Sequence, residues 1–103
     1  MSTVFDAIGD PTRRRILDHL RDGESSVTGI VERLELPQPS VSKHLRVLRD
    51  AGLVAVRADA RRRVYRLEPR PLRSLDTWLE PYRRMWDERL DALEQHLDTM
   101  EEP

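Results

Sequence analysis

Nine apolar residues recur at steps of three or four over the last third of the chain: Leu72, Leu75, Leu79, Tyr82, Trp86, Leu90, Leu93, Leu97 and Met100. Steps alternating in this way draw a nearly straight stripe along one helix, close to a heptad seam. A helix of about 29 residues is roughly 43 Å long at 1.5 Å per residue. A compact domain of about 100 residues has a radius of gyration near 13 Å. Such a helix outruns the core that the rest of the chain can build. Most of the seam is therefore expected to meet a partner, most simply the same helix in a twofold dimer. The predicted interface is Leu72, Leu75, Leu79, Tyr82, Trp86, Leu90, Leu93 and Leu97. Trp78 and Met85 widen the stripe beside Tyr82; with Tyr82 and Trp86 they either pack as core or line a small-molecule pocket. Pro69 and Pro71 break the chain ahead of this helix, which is expected to start at Pro71 or Leu72. Pro81 is expected to kink it or to split it near Glu80. Glu101-Glu102-Pro103 reads as a frayed end.

Ahead of the seam the apolar runs are short. Val4, Phe5 and Ile8 give one apolar edge to a brief helix that ends near Gly9. Asp10-Pro11 is a strong helix start, with an acid to cap and a proline at the first position. Ile16, Leu17 and Leu20 form the buried stripe of that second helix. Arg13, Arg14 and Arg15 occupy its first turn, where the helix dipole disfavours cations. Acids in the same chain or phosphates in a partner would account for them. Ser26 caps a third helix with Val27, Ile30, Val31 and Leu34 on one side. Glu35-Leu36-Pro37 interrupts it, and Gln38–Leu48 begins a fourth helix that buries Val41, Leu45 and Leu48 and stops at Gly52. Its other face carries Pro39, Ser42, Lys43 and Arg46, with no acid before Asp50. Small hydroxyls, an amide and long cations suit a groove of base edges and phosphates. Two short helices joined by three residues, the second with such a face, follow helix-turn-helix grammar.

Leu53–Arg57 and Arg63–Leu67 are rich in β-branched and aromatic residues and flank Asp59-Ala60-Arg61-Arg62. They predict a β-hairpin, although the turn lacks an Asn-Gly or Asp-Gly pair. A hairpin with a cationic tip directly after a helix-turn-helix is a wing, whose Arg61 and Arg62 would grip phosphates or enter a minor groove. The same charges would also protect exposed strand edges from pairing with other chains. The fold class is thus mainly α with a small β-hairpin. Residues 1–70 form the winged helix-turn-helix region and 71–103 the dimerisation helix of one domain overall.

The net charge of -1 hides an asymmetry. Residues 1–73 carry 15 Lys/Arg against 10 Asp/Glu, whereas residues 74–103 carry 3 against 9. A basic working part and an acidic remainder fit a nucleic-acid partner. The chain has no cysteine, which excludes disulfides and thiolate metal sites. It has no apolar run near 18 residues and no signal-peptide pattern, so no membrane partner and a cytoplasmic location are expected. Its three histidines lie in three separate segments, and no glycine-rich phosphate loop is present. No catalytic residues, cofactor or metal site are expected.

The segments Asp10–Leu17, Gln38–Leu48 and Ala51–Val54, together with the hairpin Arg61–Leu67, resemble the ArsR/SmtB family of winged-helix bacterial repressors over nearly the whole chain. The resemblance implies a homodimer that binds double-stranded operator DNA at its own or a neighbouring promoter. Carried over by position, it implies Gln38, Ser40, Ser42, Lys43, His44 and Arg46 as recognition-helix residues. Two departures stand out. Glu35 occupies a place where the family often has Gly, and would be strained in a left-handed conformation; Pro37 occupies one where a capping Ser or Thr is common. Gln38 is expected to serve as the cap instead, with Pro39 at the first helical position. The third helix holds no thiol and the last only His96, so the chain resembles the metal-independent members, with an unknown small-molecule or protein effector. The alternative is a winged-helix protein-interaction module that pairs through its C-terminal seam.

Overall fold

The computed structural model describes residues 3–101 and runs α1 (Val4–Ile8), α2 (Pro11–Arg21), β1 (Ser25–Ser26), α3 (Val27–Leu34), α4 (Gln38–Asp50), β2 (Val54–Asp59), β3 (Arg62–Leu67), a 3₁₀ turn (Arg70–Leu72) and α5 (Arg73–Glu101). The end expected to fray at Glu102 and Pro103 lies outside the described residues. Each helix start has a local cause. Thr3 and Asp6 close a capping box on α1. The Asp10 carboxylate accepts from the Thr12 and Arg13 N–H groups at 2.8 and 3.1 Å, with Pro11 behind it. Ser26 Oγ accepts from Gly29 N–H at 3.1 Å at the head of α3.

Two helices end in the same way with different residues. At the end of α4 the Leu53 N–H donates to the Leu48 carbonyl and Gly52 N–H to that of Arg49, both at 2.9 Å, and Gly52 holds the positive φ of 78° this closure needs. At the end of α3 the Leu36 N–H reaches back to the Val31 carbonyl at 3.4 Å, and the left-handed position falls to Glu35 at φ 56°. A side chain there costs about 1 kcal/mol. The turn of the helix-turn-helix thus carries the strain anticipated for Glu35.

Ile16, Leu17 and Leu20 of α2, Ile30 and Leu34 of α3, and Val41, Leu45 and Leu48 of α4 pack with Leu53, Val54 and Tyr65 into one core. In α1 the buried residue is Ala7, while Phe5 turns outward and meets Trp78 of α5 edge-on at 5.8 Å. The hairpin is tighter than its sequence suggested. Asp59 pairs with Arg62, leaving Ala60-Arg61 as a two-residue turn. Ala60 takes φ 56°, supplying the positive φ that hairpin turns ask of glycine. The sheet also has a third strand. Ser25 and Ser26 of β1 pair antiparallel with Tyr65 and Val64, giving the order β1-β3-β2 and tying the wing to the head of α3. Spanning β3, Arg57 of β2 pairs with Glu24, the residue before β1. That contact holds the Glu24 carboxyl below its ordinary range and raises the Arg57 guanidinium.

A 3₁₀ turn precedes α5, which begins at Arg73 instead of Pro71 or Leu72. Of the kink or split expected at Pro81, the split does not occur: α5 is one helix of 29 residues. Proline removes the bond to the carbonyl four residues back, but the site is exposed, so water can take that carbonyl. Arg83 also clamps across it, donating to the Asp76 carboxylate, the Asp76 carbonyl and the Glu80 carboxylate. Leu72 packs on the chain's own core, and Leu75 and Leu79 are half-buried. Beyond them α5 leaves the core. Its large apolar residues from Tyr82 to Met100 are 43% to 67% exposed. The chain accordingly extends to 71 Å, with a radius of gyration of 19.4 Å.

Candidate nucleic-acid interface

α4 enters its first turn without a side-chain cap. Pro37 stands at the N-cap, Gln38 is the first helical residue and Pro39 the second, so Gln38 does not cap the helix as its sequence suggested. The cause is register: Pro37 takes the extended cap conformation, and its carbonyl accepts the first helical bond, from Val41 N–H at 3.1 Å. Gln38 is thereby free to point its amide elsewhere, and it lines a cleft.

That cleft, about 770 Å³, lies between α4, the head of α3 and the wing. Gln38, Ser42, Arg46 and Arg49 follow one another at helical spacing and form its first wall. Arg61, Arg62 and Arg63 form the opposite wall, and Thr28 closes one end. Tyr65 lies on the same side of β3 as Arg63, two residues on, and lines the cleft too. Of the eight residues nominated for DNA, five (Gln38, Ser42, Arg46, Arg61 and Arg62) are brought together here. Lys43 is exposed on the adjoining stripe of α4. Ser40 and His44 are half-buried, and His44 Nδ1 lies 3.5 Å from the Arg13 guanidinium of α2. His44 therefore faces the helical core side and not the cleft. Sequence reasoning missed Arg49, Arg63 and Thr28. Arg49 was findable, since it continues the Gln38, Ser42, Arg46 stripe by one further step of three.

The cleft's cations are unusual in having little to hold. Among the described residues no ion pair or hydrogen bond within the chain engages the side chains of Arg46, Arg49, Arg61 or Arg63, and the Arg62 guanidinium has only a 3.7 Å contact with Asp59. Elsewhere on the wing Arg57 and Arg66 are paired, to Glu24 and Glu68. A surface with equal numbers of both signs would ordinarily intersperse them. Here one acid, Asp50, stands among five arginines. Such a cleft attracts polyanions and offers hydroxyl, amide and guanidinium donors to them.

Arg13, Arg14 and Arg15 do not belong to this surface. Arg13 donates to the carbonyls of Ala7 at 2.7 Å and Asp6 at 3.0 Å, and Arg14 to that of Ile8 at 2.6 Å. Arg15 reaches the Leu34 carbonyl at 3.3 Å. These carbonyls lie at the C-terminal ends of α1 and α3, where a cation is favoured, and that of Asp6 also accepts from Gly9 N–H at 3.2 Å. Neither acids nor phosphates, the two partners anticipated, account for them.

No group of three or more His, Asp or Glu among the described residues is arranged to hold a metal ion, and no described helix is long and apolar enough to cross a membrane.

Residues 10–56, from the cap of α2 into β2, match the family described as bacterial regulatory protein, arsR family. The chain is 38% identical over 96 residues to the HTH-type transcriptional regulator Rv2034 of Mycobacterium tuberculosis, covering 93% of this chain and 87% of that one. It is 35% identical over 79 residues to the transcriptional repressor SdpR of Bacillus subtilis, covering 77% and 88%. Among solved structures, an ArsR-like transcriptional regulator from Rhodococcus superposes with a TM-score of 0.72 at 34% identity, covering 95% of this chain and 90% of the other. With its winged helix-turn-helix and long last helix, the chain belongs to the ArsR family of DNA-binding transcriptional regulators, which are not enzymes.

Proposed function

We propose that this chain is a dimeric, cytoplasmic repressor that binds an inverted-repeat operator through α4 and the wing, and that metals do not release it. The observation that carries the DNA-binding surface is the cleft in which α4 and the wing present five arginines, of whose side chains only that of Arg62 has an ion-pair partner among the described residues. N-terminal residues of a recognition helix read base edges, so Gln38, Ser42, Lys43 and Arg46 are the readers in this proposal. A major groove about 12 Å wide accepts such a helix. The exposed seam from Tyr82 to Met100 supports pairing of α5 with a second copy. In a twofold dimer the two α4 helices meet half-sites about one turn apart, which makes the operator an inverted repeat.

Selecting genomic fragments with the purified full chain identifies the operator. Titration against that operator and a random duplex then tests the reading. Arg46→Ala should lose roughly 1–3 kcal/mol more on the operator than on random DNA. Equal losses would remove Arg46 from reading and leave it a phosphate contact. Sedimentation should give a dimer at micromolar concentration; a monomer would sink that part. Zero cysteines, and histidines divided among α2, α4 and α5, motivate the metal clause. Stoichiometric zinc, cadmium or arsenite should leave operator affinity unchanged, and a defined metal complex that releases DNA would overturn it. The exposed seam also fits a different protein as partner. Binding that is insensitive to salt and lost with α5 would favour that reading over DNA.

A further inference from the structure

Resting on the DNA-binding reading above, we propose that Arg13 and His44, neither of which lines the cleft, are positioning residues that fix how α4 presents its readers. The pair sits behind α4. His44 comes two residues after Ser42 and two before Arg46, about 200° round the helix from each. Arg13 Nη1 lies 3.5 Å from His44 Nδ1, and an arginine only donates, so Nδ1 is the accepting nitrogen. The other two nitrogens of the same guanidinium go to the end of α1. Nε donates to the Ala7 carbonyl at 2.7 Å and Nη2 to the Asp6 carbonyl at 3.0 Å. One planar fork on α2 thus meets α1 and α4 together, and its rigid geometry sets the angle between them.

The frame behind His44 is fixed independently of α4. The Thr3–Asp6 capping box holds the start of α1, and Phe5 holds its outer side, edge-on to Trp78 of α5. Arg13 is itself anchored, since its N–H donates to the Asp10 cap at 3.1 Å. The Asp10 carboxyl, held below its ordinary range first by that bond, also feels the charges of His44 and Arg13, so an acid stands beside the pair. α4 has no comparable support of its own. It starts without a side-chain cap, and among the described residues the His44 contact is the one polar side-chain contact between α4 and another element. Val41, Leu45 and Leu48 seat the helix through apolar packing, which has no preferred direction. A roll of about 10° moves the side-chain surface, about 5–6 Å from the axis, by about 1 Å. That exceeds the roughly 0.5 Å within which a binding group must be held. A directional contact on the half-buried side of α4 resists such a roll.

The test titrates the full chain and its variants against the selected operator and a random duplex, below the Tm of every variant. His44→Leu removes the acceptor and should lower the ratio of operator to random affinity by roughly threefold to tenfold. The slope of log affinity against log salt should stay at the parent value on both duplexes, because no phosphate contact is lost. His44→Asn places an amide oxygen near the position of Nδ1 and should restore most of the ratio. Arg13→Lys cannot hold α1 and His44 together and should lose as much as His44→Leu, and the double variant should lose no more than either alone. An unchanged ratio in His44→Leu, with the parent chain discriminating, would overturn the proposal while sparing the DNA-binding reading. Losses that add in the double variant would do the same. A shallower slope in His44→Leu would make His44 a phosphate contact and also overturn it. A parent chain that binds no fragment in preference to a random duplex overturns both readings.

Discussion

The chain contains the tripeptide Arg-Arg-Arg twice, at 13–15 and at 61–63, and the two copies have opposite fates. In the first turn of α2 the guanidiniums turn back onto the ends of α1 and α3 and donate to the carbonyls of Asp6, Ala7, Ile8 and Leu34. At the tip of the wing the triplet's one ion pair among the described residues is the long contact of Arg62 with Asp59. The difference lies in what surrounds each triplet. A helix that has just ended leaves up to four carbonyls without donors, and a neighbouring cation can take them. A two-residue hairpin turn has already paired its backbone across the ladder and has nothing left to offer. An arginine cluster therefore points to an external anion only where the fold supplies no orphan acceptors.

Substitutions should divide along the same line. The largest effect is expected at Arg13, which is half-buried and bonds two carbonyls. Arg13→Ala should lower stability by about 2 kcal/mol, read as a fall in Tm of roughly 10 °C, because it strips a charged donor from acceptors that must then find water. Arg13→Lys should recover only part, since one ammonium cannot span both carbonyls. Next comes the other triplet. Arg61→Ala combined with Arg62→Ala should weaken operator and random DNA by similar factors, on the order of tenfold, while Tm stays within the small range of surface changes. A wing that reads a narrow minor groove would instead show losses that depend on A·T content.

Asp10 sharpens the first half of the comparison, because it heads the helix that carries the first triplet. The Arg13 N–H bond, with further contributions from Thr12 N–H and the charges of His44 and Arg13, holds the Asp10 carboxyl below its ordinary range despite the opposing effect of burial. Its stabilising contribution is complete above the ordinary carboxylate pKa and is lost as pH falls through the depressed value. Asp10→Ala should lower Tm at neutral pH through loss of the helix cap. Asp10→Asn should keep most of the cap yet flatten the acid side of a plot of Tm against pH, and an unchanged acid limb would remove Asp10 from that role. Glu35→Gly should be smaller and of opposite sign, gaining up to about 1 kcal/mol by relieving the left-handed position. Least of all is expected from Arg15→Ala, whose single 3.3 Å bond from an exposed side chain is worth a few tenths of a kcal/mol.

Much of the fold was legible because local chemistry and final structure agree. Asp10-Pro11, Ser26, the break at Glu35–Pro37 and the stop at Gly52 all act where the sequence places them. What escaped depends on contacts between distant segments. β1 is two serines with no apolar alternation, and only its pairing with β3 makes it a strand. Ala60 accepts a glycine's conformation because the flanking strands impose it. Pro81 does not split α5, because its released carbonyl stays in water and Arg83 bridges the gap. Within the interface, helical spacing found Ser42 and Arg46, whereas Ser40 and His44, carried over from the family resemblance, are half-buried, with His44 against Arg13. The sequence left the partner of the first arginine triplet open between acids and phosphates. Only the positions of the helix ends show that carbonyls take it.

The most direct test sets the triplets against each other on one random duplex. Log affinity is measured against log salt for the full chain, for Arg61→Ala with Arg62→Ala, and for Arg13→Ala at a temperature where all three are folded. Cations that meet phosphates contribute about one to the slope each. The slope should fall by about two in the wing variant and stay at the parent value in Arg13→Ala. Equal slopes in the parent and the wing variant, or a fall confined to Arg13→Ala, would contradict the assignment of the DNA surface to α4 and the wing.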